Sequence, residues 1–265
     1  MTLASALGLA RPNIPLSGST RVDPGSRIEL KYRIHYYYQY LQIKNYLAAY
    51  MTRDHYTLIY PGQGYLVRSL YFDTYDYQAY HEKMAGDNER TKFRIRSYTP
   101  RIKPGCPIRV ELKMRQGEHM IKRSSFVGFD EYDHFVSTRH WPPTTDPVLI
   151  EFERQLQQRS LLPQVLVQYQ REGFESKAGS DLRVTFDHQV KSAHVSSLNE
   201  DDCFFRTHLP GTVIMEIKFK TNFPDWLSRL VRLYGLRVMA NSKFTQAIQV
   251  ARHDLYHPGG VVVLR

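Results

Sequence analysis

Charged side chains recur at every second position in several short stretches of this chain. Between residues 27 and 33, Arg27, Glu29, Lys31 and Arg33 alternate with apolar residues, and the same alternation recurs within 92–96, 109–115 and 215–220. Because successive side chains of a β-strand point to opposite faces, each stretch predicts a strand with one charged and one apolar face. A single strand of this kind is typical of a half-solvated sheet. The repetition favours charged faces that turn inward around a shared tunnel.

The predicted interior carries more bases than acids. The bases are Lys31, Arg94, Arg96, Lys113, Lys122, Arg171, Arg183 and Lys218, and the acids are Glu29, Glu111 and Glu216. An unpaired ion removed from water is costly, so this tunnel has to hold anions, water or both. A linear chain of phosphates offers repeated oxyanions to Arg and Lys side chains. The carboxylates suit Mg²⁺ or Mn²⁺ as hard oxygen ligands, or alternatively each neutralises a neighbouring base.

The composition is consistent with one soluble domain that binds polyanions. The chain has 265 residues, 42% of them hydrophobic, and a net charge of +10. No apolar run approaches the roughly 20 residues that cross a bilayer. We expect a cytoplasmic protein without a transmembrane segment, and no specific nucleic-acid partner, because the bases lie within strand patterns among carboxylates. The spacing of Cys106 and Cys203 favours a reduced pair over a long-range disulfide, and neither is expected to be catalytic.

The elements that must position the charged side chains alternate between strands and helices. Strands are predicted at 27–35, 65–73, 89–98, 108–115, 118–126, 165–171, 182–187 and 213–220, and helices at 36–51, 75–84, 130–136, 146–159, 224–234 and 242–252. The expected fold class is α+β, an eight-stranded antiparallel β-barrel with a charged interior and flanking helices. Residues 1–25 are expected to form a flexible leader, 26–255 a single catalytic domain, and 256–265 a C-terminal tail.

Two interior positions leave alternatives open. The apolar residues of strand 165–171 share a face with Arg171. Either a bulge turns Arg171 inward, or Gln168 and Gln170 line the interior instead. Lys243 opens the last helix, where a cation is unfavourable for the helix dipole. It therefore points either toward an anionic group or toward solvent.

Together the motifs resemble the triphosphate tunnel metalloenzyme (CYTH-like) superfamily, and more closely the polyphosphate polymerase domain of the vacuolar transporter chaperone (VTC) type. The resemblance extends from about Arg27 to Arg252. It rests on Glu29-x-Lys31-Tyr32, Ser69-Leu70-Tyr71-Phe72-Asp73-Thr74, Lys92-x-Arg94-x-Arg96-x-Tyr98, Glu111-Leu112-Lys113, Tyr169-x-Arg171, Asp181-x-Arg183-x-Thr185-x-Asp187, Glu216-x-Lys218 and Ser242-Lys243-Phe244. The superfamily signature Glu-x-Glu-x-Lys has Arg27 at its first position here, which matches the polymerase branch better than the triphosphatase and cyclase branches.

The resemblance implies an ATP:polyphosphate phosphotransferase that moves the γ-phosphate of ATP onto a growing inorganic polyphosphate chain. Its implied catalytic residues are Lys31, Arg94, Arg96, Lys113 and Lys218, with Lys122, Arg171, Arg183 and Lys243 as further phosphate ligands. Glu216 is the first candidate to hold Mn²⁺ or Mg²⁺, followed by Glu29 and Glu111. The implied partners are ATP and inorganic polyphosphate, with a membrane or export protein as a further partner.

Two other functions stay open at this point. A metal-dependent tri- or polyphosphatase would use the same cradle with water as the nucleophile. A non-catalytic module would bind polyphosphate or nucleotides without chemistry. The tyrosines at 36–40 are suited to stacking on bases, although their helical spacing favours packing against the barrel.

Overall fold

A computed structural model describes residues 28–62, 64–117, 119–199, 203–220 and 222–251. The strands are β1 (Ile28–Ile34), β2 (Met51–Arg53), β3 (Tyr65–Asp73), β4 (Glu89–Ser97), β5 (Ile108–Gln116), β6 (His119–Val127), β7 (Leu162–Ser176), β8 (Arg183–Ala193), β9 (Arg206–Thr207) and β10 (Val213–Phe219). The helices are α1 (Tyr37–Leu47), α2 (His55–Ile59), α3 (Gln78–Ala85), α4 (Phe129–Thr138), α5 (Pro147–Gln158), α6 (Asp225–Leu233) and α7 (Lys243–Ala251). Arg27, the predicted leader and the predicted tail lie outside the described residues.

Each of the eight predicted strands is present, and β7 and β8 extend beyond their predicted ends. The predicted strand that corresponds to β8 ended at Asp187. Gln189 adopts a left-handed conformation (φ 51°), and the β7–β8 register shifts beside it. A bulge of this kind carries the strand onward while changing which residues face inward. The short strands β2 and β9 and the helix α2 were not predicted.

The strands form one antiparallel sheet that curls around its charged face. The hydrogen-bonded order is β1-β10-β8-β7-β3-β4-β5-β6, with β2 beside β7 and β9 beside β8. Within the described residues no backbone ladder joins β1 to β6. Instead, Lys113 Nζ of β5 approaches Glu29 Oε2 of β1 at 3.5 Å, and Met239 N donates to the backbone oxygen of Lys31 at 2.9 Å. The predicted α+β class and antiparallel tunnel are confirmed: the eight predicted strands of the expected barrel curl into a tunnel whose seam, in the described residues, is bridged by these contacts and not by a backbone ladder.

Two apolar layers cover the outer face of the sheet. Ile43 of α1 and Leu227 of α6 are fully buried in one layer, over β1, β8 and β10. Phe135 of α4 and Phe152 of α5 are buried in the other, over β3 to β6. No helix in the described part of the chain is long and apolar enough to span a membrane. The outer face thus supplies most of the apolar core.

One side of α1 contacts the sheet and the other faces solvent. Tyr40 is 2% exposed, whereas Tyr36, Tyr37 and Tyr38 are 74%, 63% and 71% exposed. Residues three or four apart share a helix face, so a run of consecutive tyrosines cannot all reach one sheet. The expected packing is therefore wrong for these three residues.

Part of the inner face is also apolar. Val67 of β3 and Val167 of β7 are buried beside Phe244 and Ile248 of α7 and Tyr80 of α3. Val167 lies four residues before Arg171 on β7, and Val67 lies two residues after Tyr65, the β3 residue opposite Arg171. Residues an even number apart on a strand share a face, so both valines lie on the same face as Arg171. Two helices therefore fill the side of the interior that has no charged lining.

Cys106 and Cys203 pack against the layer beneath α4 and α5, and no disulfide joins them.

Candidate active site in the charged interior

The carboxylate of Glu216 is the centre of one group of interior charges. Its strand β10 pairs with β1 so that Lys31 lies directly opposite. Lys31 Nζ is 3.6 Å from Glu216 Oε1, and Lys218 Nζ is 3.5 Å from Oε2. Lys243 Nζ donates to Oε1 at 3.0 Å. We call Lys31, Arg171, Asp187, Glu216, Lys218 and Lys243 the Glu216 cluster.

Arg171 and Asp187 complete the Glu216 cluster from β7 and β8. Arg171 makes a two-pronged ion pair with Asp187, with N–O distances of 2.6 and 2.7 Å, and its Nη2 lies 3.4 Å from Glu216 Oε2. Lys243 Nζ contacts Asp187 Oδ2 at 2.5 Å. Arg171 therefore faces inward on the same side as the apolar residues of its strand, and Lys243 points toward anionic groups.

Burial and nearby bases act in opposite directions on these carboxylates. Burial alone raises the pKa of Glu216, but Lys243, Lys31, Lys218 and Arg171 outweigh it and hold that pKa well below its usual range. The pKa of Asp187 is lowered in the same way, with Arg171 and Lys243 outweighing burial. Both groups stay ionised at neutral pH.

A second group of charges surrounds Glu111 on β5. Glu111 is 1% exposed and accepts a charge-assisted hydrogen bond from Arg94 Nε of β4. Lys122 Nζ of β6 lies 2.5 Å from Oε1, and Arg96 Nε lies 3.8 Å from Oε2. Burial raises the pKa of Glu111, yet these three bases together hold it well below the usual value. We call Arg94, Arg96, Glu111 and Lys122 the Glu111 cluster.

Glu29 of β1 connects the two edges of the curled sheet. Its carboxylate lies 3.1 Å from Lys31 Nζ of its own strand and 3.5 Å from Lys113 Nζ of β5. Burial raises its pKa, but Lys218, Lys31 and Lys113 lower it to about 2. The structure thus brings Glu29, Lys31, Lys113 and Lys218 together as expected from the strand pattern.

Arg183 lies apart from both clusters, at the start of β8. Its Nη2 donates to Asp54 Oδ2 at 2.6 Å, and its side chain is 40% exposed. Asp54 also caps α2 by accepting from Thr57 N. The carboxylate can approach only because residue 173 is glycine, since a Cβ there would stand 1.9 Å from Asp54 Oδ2. Arg183 lies opposite Lys218 in the β8–β10 register, but its guanidinium is paired with Asp54.

The residues able to hold a metal are oxygen donors around Glu216. In the described part of the chain, no three His, Cys, Asp or Glu residues are grouped closely enough to hold a metal unaided. Mg²⁺ is commonly bound through one or two carboxylates together with substrate phosphates. Thr185, directly opposite Glu216, has a buried hydroxyl with no hydrogen-bond partner. Four bases contact Glu216 and three contact Glu111, so it is the unsatisfied Thr185 oxygen beside Glu216 that makes Glu216 the better fit for a divalent ion arriving with phosphate.

Sequence reasoning missed four interior side chains. Asp187 and Asp54 were not assigned, although each carries an ion pair with a predicted phosphate ligand. Tyr71 is uncharged, but its hydroxyl accepts a hydrogen bond from Arg94 Nη1 at 2.9 Å. Lys92 was named only within a motif, although it shares its strand face with Arg94 and Arg96. Strand parity, the alternation of side chains between the two faces of a strand, could have identified Asp187, Lys92 and Tyr71. Asp54 gave no such signal, because it caps a helix that was not predicted.

Lys92 differs from every other lysine of the described interior because it has no carboxylate partner. Its Nζ donates to Ser242 Oγ at 2.9 Å and lies 5.1 Å from the centroid of the Phe244 ring. Burial lowers its pKa most, and Lys113 and Lys31 lower it further, to about 7. An anion entering here would meet a lysine that no carboxylate neutralises.

Comparison with known proteins assigns the family. The family described as VTC domain matches residues 26–252, which includes every strand and helix above. The chain belongs to the VTC domain family. A search of curated proteins finds no match.

Solved structures similar to this VTC domain include three from different organisms. A Bacillus halodurans protein proposed to be an adenylate cyclase is 14% identical, with a TM-score of 0.47, over 82% of this chain and 94% of its own. HpAC1 from Hippeastrum, a proposed adenylyl cyclase described as having a dominant triphosphatase activity, is 16% identical, with a TM-score of 0.47, over 83% and 93%. PH1819 protein from Pyrococcus horikoshii is 10% identical, with a TM-score of 0.42, over 84% and 99%.

Proposed function

We propose that this VTC domain is a metal-dependent polyphosphate polymerase. A terminal oxygen of the growing chain attacks the γ-phosphorus of ATP, the bond from that phosphorus to the β,γ-bridging oxygen breaks, and ADP leaves with the bridging oxygen. Family membership and the cationic interior support the broader statement that the domain acts on triphosphate or polyphosphate groups. ATP and inorganic polyphosphate are the proposed partners, with a cytoplasmic location and a membrane or export partner protein as further parts of the proposal.

The observation that carries the proposal is the convergence of bases on one interior. They come from β1, β4, β5, β6, β7 and β10 and from the first residue of α7, and carboxylates neutralise them only in part. Asn241, buried beside Lys31, has neither side-chain polar atom paired. Buried polar groups without partners are costly, so this interior is suited to a ligand with many acceptor oxygens. A phosphate chain supplies them.

The acid–base properties of the interior favour phosphoryl transfer over hydrolysis. A general base works best with a pKa near the operating pH. The pKa values of Glu111, Glu216 and Asp187 are instead held low by neighbouring bases. A terminal phosphate oxygen is already ionised at neutral pH and needs no such base. Positioning and charge stabilisation are then the contributions required of the protein.

The bases of both clusters, together with Lys113 and Arg183, bind the phosphates in this proposal. Around the reacting phosphates we place Lys31, Arg94, Arg96, Lys113 and Lys218, with Lys122, Arg171, Arg183 and Lys243 as further phosphate ligands. The guanidinium groups of the arginines and the ammonium groups of the lysines would align the γ-phosphate of ATP with the terminal phosphate of the chain. Mn²⁺ or Mg²⁺, held by Glu216 with Glu29 and Glu111 as weaker candidates, would supply charge neutralisation of the phosphate oxygens when bound.

The test is product analysis with purified protein, ATP and Mn²⁺ or Mg²⁺. We expect long polyphosphate on a gel and ADP in equal amount to the phosphate transferred. Lys31→Met is expected to lower kcat/KM by about 100-fold, as for loss of one transition-state charge contact. Lys103→Met, which changes an exposed loop lysine, is the matched control and should leave the rate unchanged. Release of orthophosphate alone would rule out the polymerase in favour of the phosphatase.

A further inference from the structure

Helices α1 and α6 lie side by side and antiparallel on the outer face of the sheet. Near the start of α1, Gln39 Nε2 donates to the backbone oxygen of Tyr234, the residue that ends α6, at 2.9 Å. Near the end of α1, Tyr46 Oη donates to the backbone oxygen of Trp226, at the start of α6, at 3.4 Å. The start of α1 and the end of α6 therefore meet at one corner of the molecule.

Large apolar side chains are exposed on both sides of this meeting point. The three exposed tyrosines at 36–38 directly precede Gln39. Leu233, next to Tyr234, is 68% exposed. Val238, whose backbone forms a bridge with Tyr32 of β1, is 59% exposed. Single exposed apolar residues are normal on a protein surface, whereas a group of them at one place marks an interaction site.

The charged side chains that accompany this apolar group are basic. Residues 32–44 and 226–240 contain no aspartate or glutamate. Arg232 directly precedes Leu233, and Arg237 directly precedes Val238. Both arginines are exposed, and within the described residues neither forms an ion pair. We define the α1–α6 corner as Tyr36, Tyr37, Tyr38, Arg232, Leu233, Arg237 and Val238.

The carboxylate beneath α1 does not neutralise these arginines. Glu172 of β7 is 3% exposed and accepts hydrogen bonds from the Tyr40 hydroxyl and from Lys44 Nζ. His188 Nε2 lies 3.0 Å from the same carboxylate. Because Glu172 is enclosed by these partners, the α1–α6 corner presents unneutralised positive charge together with apolar surface.

An anionic lipid bilayer is complementary to both properties. Arginines close to such a bilayer are attracted to its negative headgroups. Leucine and valine side chains enter the boundary between headgroups and acyl chains, and tyrosine is suited to the same boundary because its ring is apolar and its hydroxyl polar. At 232–233 and again at 237–238 a base stands beside an aliphatic residue, which matches the order of headgroup and acyl chain. A nucleic acid would use only the tyrosines and arginines, since aliphatic side chains do not stack on bases.

We propose that the α1–α6 corner binds reversibly to membrane surfaces that carry anionic lipid headgroups. The side chains enter the interface without spanning the bilayer, as in peripheral proteins that combine basic and apolar residues. The charged interior lies on the opposite face of the same sheet. Binding through α1 and α6 therefore leaves the interior open to its own ligands.

The test is co-sedimentation of the purified protein with vesicles of phosphatidylcholine alone, or mixed with phosphatidylglycerol, at one fixed ionic strength. We expect wild type to bind the mixed vesicles more tightly. Arg232→Gln/Arg237→Gln should lower the affinity for mixed vesicles by about tenfold or more, because each base near an anionic bilayer contributes to binding. Lys103→Gln/Arg123→Gln removes two exposed bases from other surfaces and is the matched control. The bases of the interior are the same in all of these proteins.

A second pair of variants tests the apolar contribution. Tyr38→Ser/Leu233→Ser removes two side chains that are more than half exposed, so we expect the fold to be retained. Its affinity for mixed vesicles should fall about tenfold, because less apolar surface enters the interface. Leu58→Ser/Tyr75→Ser removes a leucine and a tyrosine that are exposed on other elements and is the matched control. It should change the affinity less than about twofold.

Failure of wild type to bind mixed vesicles would overturn the proposal. Equal losses in the corner variants and in their controls would also overturn it, since net charge or total apolar surface would then explain the binding. Loss of self-association in Tyr38→Ser/Leu233→Ser, with vesicle binding unchanged, would overturn it in favour of a second copy of the chain. If this double variant fails to fold, Tyr36→Ser gives the same comparison with Tyr75→Ser. Tripolyphosphate binding should be equal in wild type and all variants, so the outcome is independent of the proposed polymerase activity.

Discussion

The inner surface of the sheet has two parts that are filled in different ways. The charged part comprises the inward faces of β1, β4, β5, β6 and β10, where carboxylates neutralise only some of the bases. The apolar part comprises the inward faces of β3 and of β7 up to Tyr169, where α7 packs with Phe244 and Ile248 fully buried. Both parts belong to one continuous sheet.

The difference shows that the protein completes its own packing on one side and leaves the other side dependent on ligand. Apolar contacts in the apolar part are satisfied without any other molecule. In the charged part the repulsion among bases persists until an anion enters. Substitutions in the charged part should therefore have effects that depend on polyanion and pH, whereas those in the apolar part should not.

The largest effect is expected from Glu111→Gln, which removes the charge that holds Arg94, Arg96 and Lys122 together. Removing one partner of a buried ion pair typically lowers the unfolding free energy by about 3–5 kcal/mol, and we expect a loss in this range. Denaturant unfolding at neutral pH measures it.

Measuring the unfolding free energies of wild type and Glu111→Gln at several pH values tests whether the charge of Glu111 causes the loss. Because the folded-state pKa of Glu111 is lower than its unfolded value of 4.5, its stabilisation is fully present above about pH 4.5. It is lost as the pH falls through the folded-state pKa. The gap between wild type and Glu111→Gln should therefore shrink in acid, and a constant gap would show that side-chain packing, not charge, is responsible.

A smaller effect of opposite sign is expected from Lys92→Met. The pKa of Lys92 is about 7 in the folded protein, because burial, Lys113 and Lys31 disfavour its charge, against 10.5 ordinarily. The unfolded chain therefore binds an extra proton between these values, and wild-type stability rises with pH across this window. At pH 7 the variant should be more stable by about 1–3 kcal/mol after allowance for solvent screening.

The advantage of Lys92→Met should diminish as the pH rises toward 10.5, because Lys92 of the unfolded wild type then also loses its proton. Thermal unfolding of both proteins at several pH values measures the difference. A wild type that is more stable than the variant at pH 7 would contradict the assignment of Lys92 as an uncompensated charge.

The smallest effect is expected from Ile248→Val in the apolar part. Loss of one buried methylene from α7 should lower the unfolding free energy by about 1 kcal/mol. The same loss should be measured with and without saturating tripolyphosphate, because Ile248 is buried within the apolar cluster formed with β3 and β7. A loss that changes with tripolyphosphate would show that the two parts are energetically coupled.

Strand parity was sufficient to predict the charged part, because one rule applies along each strand. Lys31, Glu216 and Glu111 face inward as their alternation indicates. Parity failed at β7, where Arg171 shares a face with apolar residues, since a single strand passes from the apolar part into the charged part. No local pattern indicates that change; it depends on α7, which comes from another region of the chain.

Ion pairing was also beyond prediction from sequence, because it depends on register. Glu111 lies opposite Arg94 and Lys113 lies opposite Lys92, although a shift of the pairing by two residues would keep every parity and exchange these partners. Register follows from the packing of the outer layers and from bulges such as that at Gln189. The identity of the neutralised bases is therefore a tertiary property.

The position of α7 also affects how the protein is made. Phe244 and Ile248 follow all ten strands in the chain, yet they occupy the inside of the sheet, and β1 pairs with β10, the last strand to be synthesised. A chain emerging from the ribosome must hold most of its sheet without a partner for β1 or a filling for β3 and β7. Such long-range closure is slow and leaves apolar surface open to aggregation. Newly made chains should consequently depend on chaperones until α7 has been released.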